Sequence, residues 1–551
     1  MTSVISVVRR GWPVMVLVLV MAGFAAACLR EAWLDAPTVD EPLYVAAGVL
    51  GAVHHDLLFN DEHQPLPKVV AALPVLVVRP EVPGGWVHGQ WHEEVDYAAR
   101  FTGAQLAAGK LRAVTFASRL VPIVEALAIG VILYRLGSLI FSPAAGVVAG
   151  VLWLADPVTI GLGHIDGVDL PLTLGAALTS LALLRWVRRR NAVSLLLAGG
   201  AAGLAVAAGV AGLVVLVAVV IVVAVTARGT GWRERVWRAL AASAVIVVVA
   251  LVVLWASYVV FDPGVVTHPA FLLPGPYVDG LRFLRANDSS PRWAYLLGLE
   301  WYGHRWWYWP ATLLVKVPLP VLPVLVAGPF ALLVAPRQAR REVGLAVALP
   351  AVALAAFTMF IPPDTGIRYF LPVLALVIVV ASGVVLFARR YAGRAVLAVL
   401  LAAGAVMAAG SFPHSLAWTT PPFTPGYRFD SGSNVDWGQD FYLLRRWTQG
   451  RHPFVEPHVA WGLGPVALQG ARLLPSATTA RITGWVAVSA KLITGRGDDP
   501  PSWLRGYCPV ATLGGSVLIY RFRQPPDRSA PIPAEPAGLC SASAYSYRVP
   551  G

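Results

Sequence analysis

Asp40 and Glu41 stand side by side in Thr38-Val39-Asp40-Glu41-Pro42, directly after an apolar run. Neighbouring residues on a helix or strand do not share a face. One carboxylate can therefore face a cavity while the other caps, pairs or positions. A carboxylate at a water–lipid boundary can act as general base toward a hydroxyl acceptor. The same residues also suit a helix start, with Thr38 or Asp40 as cap and Glu41 in the first turn. Both readings are open at this level.

Other stretches carry similar double meanings. Asn60-Asp61-Glu62-His63-Gln64-Pro65-Leu66-Pro67-Lys68 gathers acids, an imidazole and a lysine around prolines that force an extended or turned chain. Lys68 can meet an anionic phosphate, and Glu62 and His63 can hold a divalent ion or position a substrate. A solvated loop leading into a helix has the same composition. Asp166 and Asp169 lie in Gly163-His164-Ile165-Asp166-Gly167-Val168-Asp169-Leu170-Pro171. A carboxylate at mid-span costs about 2.5–3.5 kcal/mol and much less at a helix end, so capping and function compete there. Tyr302 to Pro310 is an aromatic belt of the kind found at interfacial helix starts. Lys316 and Arg368 are lone cations beside apolar runs, suited to neutralising a phosphate or to snorkelling. Asp430 to Asp440, with Asp436, Trp437 and Gln439, mixes hydroxyl, amide and carboxylate groups around a tryptophan. That mixture suits sugar recognition and equally an ordinary capped turn.

The elements that must hold these groups are membrane helices. Of the 551 residues, 57% are apolar and 13% charged, with a mean hydropathy of +0.66. A soluble chain carries about 25% charged residues. Apolar runs long enough to cross a bilayer lie near 12–29, 113–135, 141–159, 168–187, 193–208, 210–227, 239–260, 310–334, 343–361, 369–388 and 394–410, about eleven spans. The first reads as a signal anchor that stays in the chain. The net charge of +13 does not point to nucleic acid, because the arginines cluster between apolar runs as positive-inside flanks do. Arg9-Arg10, Arg135, Arg188–Arg190, Arg228–Arg238, Arg337–Arg341 and Arg389–Arg394 fall on alternate loops, provided 193–227 is two short helices. That side is expected to be cytoplasmic, with the N-terminus inside and the C-terminus outside. The expected organisation is a transmembrane domain, 1–410, with long exterior loops 30–112 and 261–309, and a mixed α/β extracytoplasmic domain, 411–551. Leu66 to Val78 is too short to span and reads as interfacial or re-entrant. Cys508 and Cys540 in the exterior segment can form a disulfide or remain two thiols.

Taken in order, these signatures resemble the glycosyltransferase C superfamily, in its bacterial phospholipid-carrier-dependent branch related to protein O-mannosyltransferases and aminoarabinose lipid A transferases. The residues that carry the resemblance are Asp40-Glu41, Glu62 to Lys68, Asp169 with Leu170-Pro171-Leu172, and Leu314 to Pro320 around Lys316. Gly366-Ile367-Arg368, Pro413-His414, Asp436 to Asp440 and Gly484 to Ser489 complete the set. The resemblance implies an all-α polytopic fold and an inverting transfer of a hexosyl or pentosyl group from a polyprenyl-phosphate carrier to a hydroxyl of protein, lipid or glycan. It implies Asp40 as base with Glu41 in support, His63, Lys68, Lys316 and Arg368 at the donor and its phosphate, and Glu62, Asp169, Asp436, Trp437 and Gln439 at the substrate. No cofactor is required by such a scheme, and a divalent metal remains compatible with it. The chain departs from the family in two places. Gln64 stands where relatives have proline, and no lysine occurs near Gly209-Val210, where relatives tend to carry a Thr-Lys pair. A transporter or flippase for lipid-linked sugars is the alternative from another class. Transporters often show paired halves, and no such repeat is visible. An inactive scaffold is a third reading.

Overall fold

The computed structural model describes residues 2–549 except 90, 268, 288–291, 361–363, 457–467, 469, 476–480, 495–499, 530–531, 534 and 542. It is a multi-pass helical membrane protein. Among the described residues, seven helices are long and apolar enough to cross a bilayer, or eight if a bent pair is counted as one span. Four shorter apolar helices accompany them. Each of the eleven expected spans falls on one of these helices.

Helix α1 (Thr2–Leu34) leads into a layer of α2 (Glu41–His54), α3 (Pro65–Val77) and α4 (Trp91–Ala107). Prolines in the first turns of α2 and α3 give up an N–H that no helix would satisfy there. The two helices cross closely at Gly48, where a Cβ would meet the Lys68 carbonyl oxygen at 2.1 Å. Leu66 to Val78, expected as a non-spanning segment, is thus α3.

The bundle continues through α5 (Leu111–Ser118), α6 (Leu120–Ile140), the bent pair α7 (Pro143–Leu154) and α8 (Pro157–Gly163), and α9 (Asp169–Arg189). Ser142 and Asp156 cap α7 and α8, each accepting a backbone N–H at 3.3 Å. Next come α10 (Ala192–Ala208), α11 (Gly212–Val225) and α12 (Trp232–Val259). Asn191 and Ser194 form a reciprocal capping box at the start of α10. The chain breaks at Gly209 as the arginine pattern requires, and Gly212 lies so close to Ala205 that a Cβ would meet its oxygen at 2.1 Å. Burial, and then repulsion from Arg228 and Arg341, lowers the pKa of Arg190. Three arginine-bearing loops therefore meet on one side of the bundle.

The stretch 261–309 carries α13 (Gly275–Asn287) and a hairpin, Trp293–Leu296 with Leu299–Tyr302. Gly280 of α13 rests on the Asp61 carbonyl, which a Cβ would approach to 2.0 Å. After α14 (Tyr308–Lys316), apolar helices follow at 322–331, 337–360, 367–386 and 391–411. The C-terminal segment carries a five-stranded mixed sheet whose central strands, Gly484–Ser489 and Val517–Phe522, run antiparallel. Cys508 and Cys540 form a disulfide. Ser415 donates to Glu31 of α1 at 2.7 Å, tying this segment to the bundle.

Candidate active site

The turn from α1 into α2 places the two adjacent acids on different faces. Glu41 is buried and accepts Arg119 Nε on one oxygen and Nη2 on the other, both at 2.7 Å. It also accepts the amides of Thr38 at 2.7 Å and Asp166 at 3.0 Å. Burial pushes its carboxyl up, but the Arg119 charge and these four bonds outweigh that, and its pKa is lowered. Arg119 in turn donates to the carbonyls of Ala32, Asp35 and Ala36. Glu41 and Arg119 thus clamp the end of α1, the start of α2 and the loop before α9.

Asp40 is left facing the other way. It takes the N-cap position of α2 without a side-chain cap bond. Its Oδ2 accepts Arg368 Nη1 at 2.7 Å, and its side chain remains 24% exposed. Arg368, in the turn Ile367–Phe370, lies over the rings of Trp437 at 4.3 Å and Tyr369 at 4.7 Å. It also donates to the Tyr369 hydroxyl at 2.9 Å.

Beside this pair opens a cavity of about 490 Å³. His63, Gln64, Asp169 and Tyr369 give it a polar end, and Leu172, Trp309, Leu354 and Phe357 an apolar wall. His63 is held by Tyr44, whose hydroxyl lies 3.3 Å from Nε2 with the rings edge to face. Burial, and then the charge of Lys68, lowers the pKa of His63 to about 3, so it is a neutral imidazole at physiological pH. Asp169 begins α9 without capping it and turns to the cavity instead. Arg285 of α13 reaches the same cavity. Gly209, Val210 and Ala211, at the break between α10 and α11, line it too, so the expected departure at Gly209-Val210 falls on a cavity wall.

Of the eleven expected site residues, His63 and Asp169 line this cavity, Asp40, Arg368 and Trp437 form the cluster beside it, Glu41 is turned away, and five others are engaged elsewhere. Lys316 is buried and gives its ammonium to three backbone carbonyls, Leu416 at 2.8 Å, Trp418 at 2.6 Å and Asn434 at 2.7 Å. Three carbonyls take the three protons of that ammonium and leave none for a phosphate. Lys68 is likewise buried and donates to Asn60 O at 2.5 Å and Oδ1 at 3.2 Å. Glu62 accepts from the Asn60 amide at 2.5 Å, and burial raises its carboxyl pKa. Together they brace the loop that presents His63. Asp436 accepts from Ser489 and from the Gly438 amide at 3.0 Å. Gln439 bonds the Trp437 amide and the Val435 carbonyl, at 2.8 and 2.9 Å. These two shape the turn that lays Trp437 on Arg368. Among the described residues, no group of three or more His, Cys, Asp or Glu is placed to hold a metal ion, so Glu62 and His63 lack a third such ligand.

Sequence reasoning missed Arg119, Arg285, Tyr44 and Tyr369. Arg119 sits in an apolar run and is more than seventy residues from its partner. An unflanked arginine inside a predicted span was the available signal. Arg285 lies in a loop helix whose placement no local pattern reveals.

Comparison with known proteins agrees with this architecture. Residues 105–255 match the family model described as dolichyl-phosphate-mannose-protein mannosyltransferase. That stretch includes Asp169 and the 209–211 wall but neither Asp40 nor Arg368. ArnT from Cupriavidus metallidurans bound to undecaprenyl phosphate superimposes at TM-score 0.50 and 14% identity, over 92% of this chain and 97% of ArnT. The chain shares the fold of ArnT. The resemblance read from the sequence therefore holds for the architecture. The Archaeoglobus fulgidus oligosaccharyltransferase aligns at TM-score 0.46 and 12% identity, over 86% of this chain and 62% of that one. No curated protein sequence matches the chain.

Proposed function

We propose that this protein is an inverting membrane glycosyltransferase that moves a sugar from a polyprenyl-phosphate carrier to an acceptor hydroxyl on the outer face of the plasma membrane. The observation that carries the reading is the Asp40–Arg368 pair, part-exposed beside a cavity with one polar and one apolar end. A lipid phosphate sugar has that same division. The glycosyltransferase C fold, the mannosyltransferase family match and the undecaprenyl phosphate bound to ArnT support it.

In this scheme the unliganded enzyme holds Asp40 against Arg368. An incoming phosphate competes for the guanidinium and frees the carboxylate. Asp40 takes the proton of the acceptor hydroxyl as its oxygen attacks the anomeric carbon. The carbon–oxygen bond to phosphate breaks, and its electron pair stays on the phosphate oxygen, where Arg368 and Arg285 meet the charge. Stabilising charge on a leaving group is often the largest catalytic contribution. Arg285 supplies at this cavity the cation that Gly209-Val210 lacks. Neutral His63 and Asp169 orient the sugar. Trp309 and the leucines of the cavity wall receive the polyprenyl chain.

The test is turnover of purified protein with a panel of polyprenyl-phosphate sugars and with hydroxyl acceptors of peptide, lipid and glycan type, following free polyprenyl phosphate. Release with one donor, lost in Asp40→Asn, is expected. Absence of release with every donor, alongside movement of the same donors across proteoliposome membranes, would establish the flippase reading instead.

A further inference from the structure

A second cavity, of about 740 Å³, opens at the other end of α9. At 1.5 Å per residue its lining on that helix, Leu178 to Arg189, lies about 14–30 Å from Asp169. Its floor is apolar: Leu178 and Leu181 of α9, Leu196, Leu197 and Leu204 of α10, and Val253 of α12. Its rim is basic: Arg135 of α6 with Arg185, Arg188 and Arg189 of α9.

The sequence makes this shape at two levels. Gly199 and Gly203 bring α10 against α12, where a Cβ would meet Val249 at 3.0 Å and Val253 at 2.8 Å. Gly200, between them, turns to the slot, and a Cβ there would meet nothing within 4 Å. Arg188 is fixed by Glu342, which accepts its Nε at 2.8 Å and Nη2 at 2.7 Å, and by the Leu139 carbonyl at 2.7 Å. Among the described residues no carboxylate pairs with Arg135, Arg185 or Arg189. Three uncompensated guanidiniums therefore stand over a hydrocarbon-lined slot. Leu139, Leu196, Leu197 and Leu204 are exposed, so the slot opens sideways to the bilayer.

We infer that this slot is a binding site for an anionic phospholipid, with its phosphate among Arg135, Arg185 and Arg189 and an acyl chain along Gly200. The charge calls for a phosphate-bearing headgroup, since basic pockets between helices recruit such lipids. The lateral opening favours a bulk membrane lipid over a carrier that must reach Asp40. The site is independent of the proposed transfer reaction.

The experiment uses delipidated full-length protein in detergent, titrated with dioleoyl phosphatidylglycerol, dioleoyl phosphatidylcholine or undecaprenyl phosphate. Native mass spectrometry reads occupancy and thermal unfolding reads stabilisation. Phosphatidylglycerol should bind and raise Tm, with phosphatidylcholine, which has identical chains, giving little of either. The triple variant R135A/R185A/R189A should bind phosphatidylglycerol on the order of tenfold more weakly or worse. Gly200→Phe keeps every arginine and should lose binding by filling the slot. Equal binding of the zwitterionic lipid, or unchanged binding in both variants, would overturn the proposal. Preferential binding of undecaprenyl phosphate that these variants abolish would overturn the choice of lipid.

Discussion

Asp40 and Glu41 are consecutive carboxylates, each paired with an arginine far away in sequence, and their surroundings are opposite. The Glu41–Arg119 pair is wholly buried, with both oxygens of Glu41 and several carbonyls engaged. The Asp40–Arg368 pair is part-exposed, and a single bond joins its members. A buried pair with every lone pair met is rigid, and removing one partner strands a charge. A part-solvated pair beside a cavity can exchange partners at small cost. One pair holds the architecture, and the other is the part that can react.

The comparison breaks most sharply in turnover. Asp40→Asn should lower sugar transfer by about 10²–10⁴-fold, the range for losing a positioned general base. Its thermal unfolding should stay close to wild type. An Asp40→Asn protein with full turnover would sink the assignment. Glu41→Ala should do the reverse and destabilise the fold by about 3–5 kcal/mol through an unpaired buried Arg119. Chemical or thermal unfolding in detergent measures this. The double variant E41L/R119M should be less damaged than Glu41→Ala, since no charge is then stranded.

Smaller effects sharpen the picture of the cavity. Arg285→Ala should lower kcat and cut kcat/KM for the donor by roughly tenfold or more, as loss of one charge-assisted contact to the leaving phosphate does. Lys316→Met should instead lower Tm and leave the KM of the folded fraction unchanged, because its three carbonyls lose their donor. An effect confined to acid pH concerns His63, which senses the charges of Asp40 and Arg368. Its pKa is about 3 when folded, against 6.5 for a solvent-exposed histidine. Between those values the unfolded chain binds the extra proton, so stability falls as pH drops from about 6.5 toward 3. His63→Asn should flatten that part of the stability profile, and the wild-type kcat profile should show no inflection from His63 near 6.5.

Much of the fold was legible because membrane helices announce themselves locally. Apolar length, flanking arginines and the break at Gly209 can each be read within a few turns of chain. The layer of α2, α3 and α4 and the C-terminal mixed sheet were legible only as regions. The candidate site was half legible. Asp40, His63, Asp169, Arg368 and Trp437 come together, whereas Lys68, Lys316, Asp436 and Gln439 are used internally. A lysine near an interface looks the same in sequence whether its ammonium meets phosphate or three carbonyls. The difference lies in segments about a hundred residues away, Leu416 to Asn434 for Lys316.

The sequence by itself determined that the chain lies in a bilayer, where its helices run, which loops gather the arginines, and that two adjacent acids follow the first span. Those properties depend on composition and spacing, which act over one or two helical turns. Only the tertiary structure decided which acid is structural and which is exposed. It decided which cations meet carbonyls and which face a cavity, and it placed Arg285 and an arginine-rimmed slot at opposite ends of the bundle. The physical reason is that the state of a charged group is set by the few atoms within hydrogen-bonding distance. In a folded membrane protein those atoms come from distant parts of the chain.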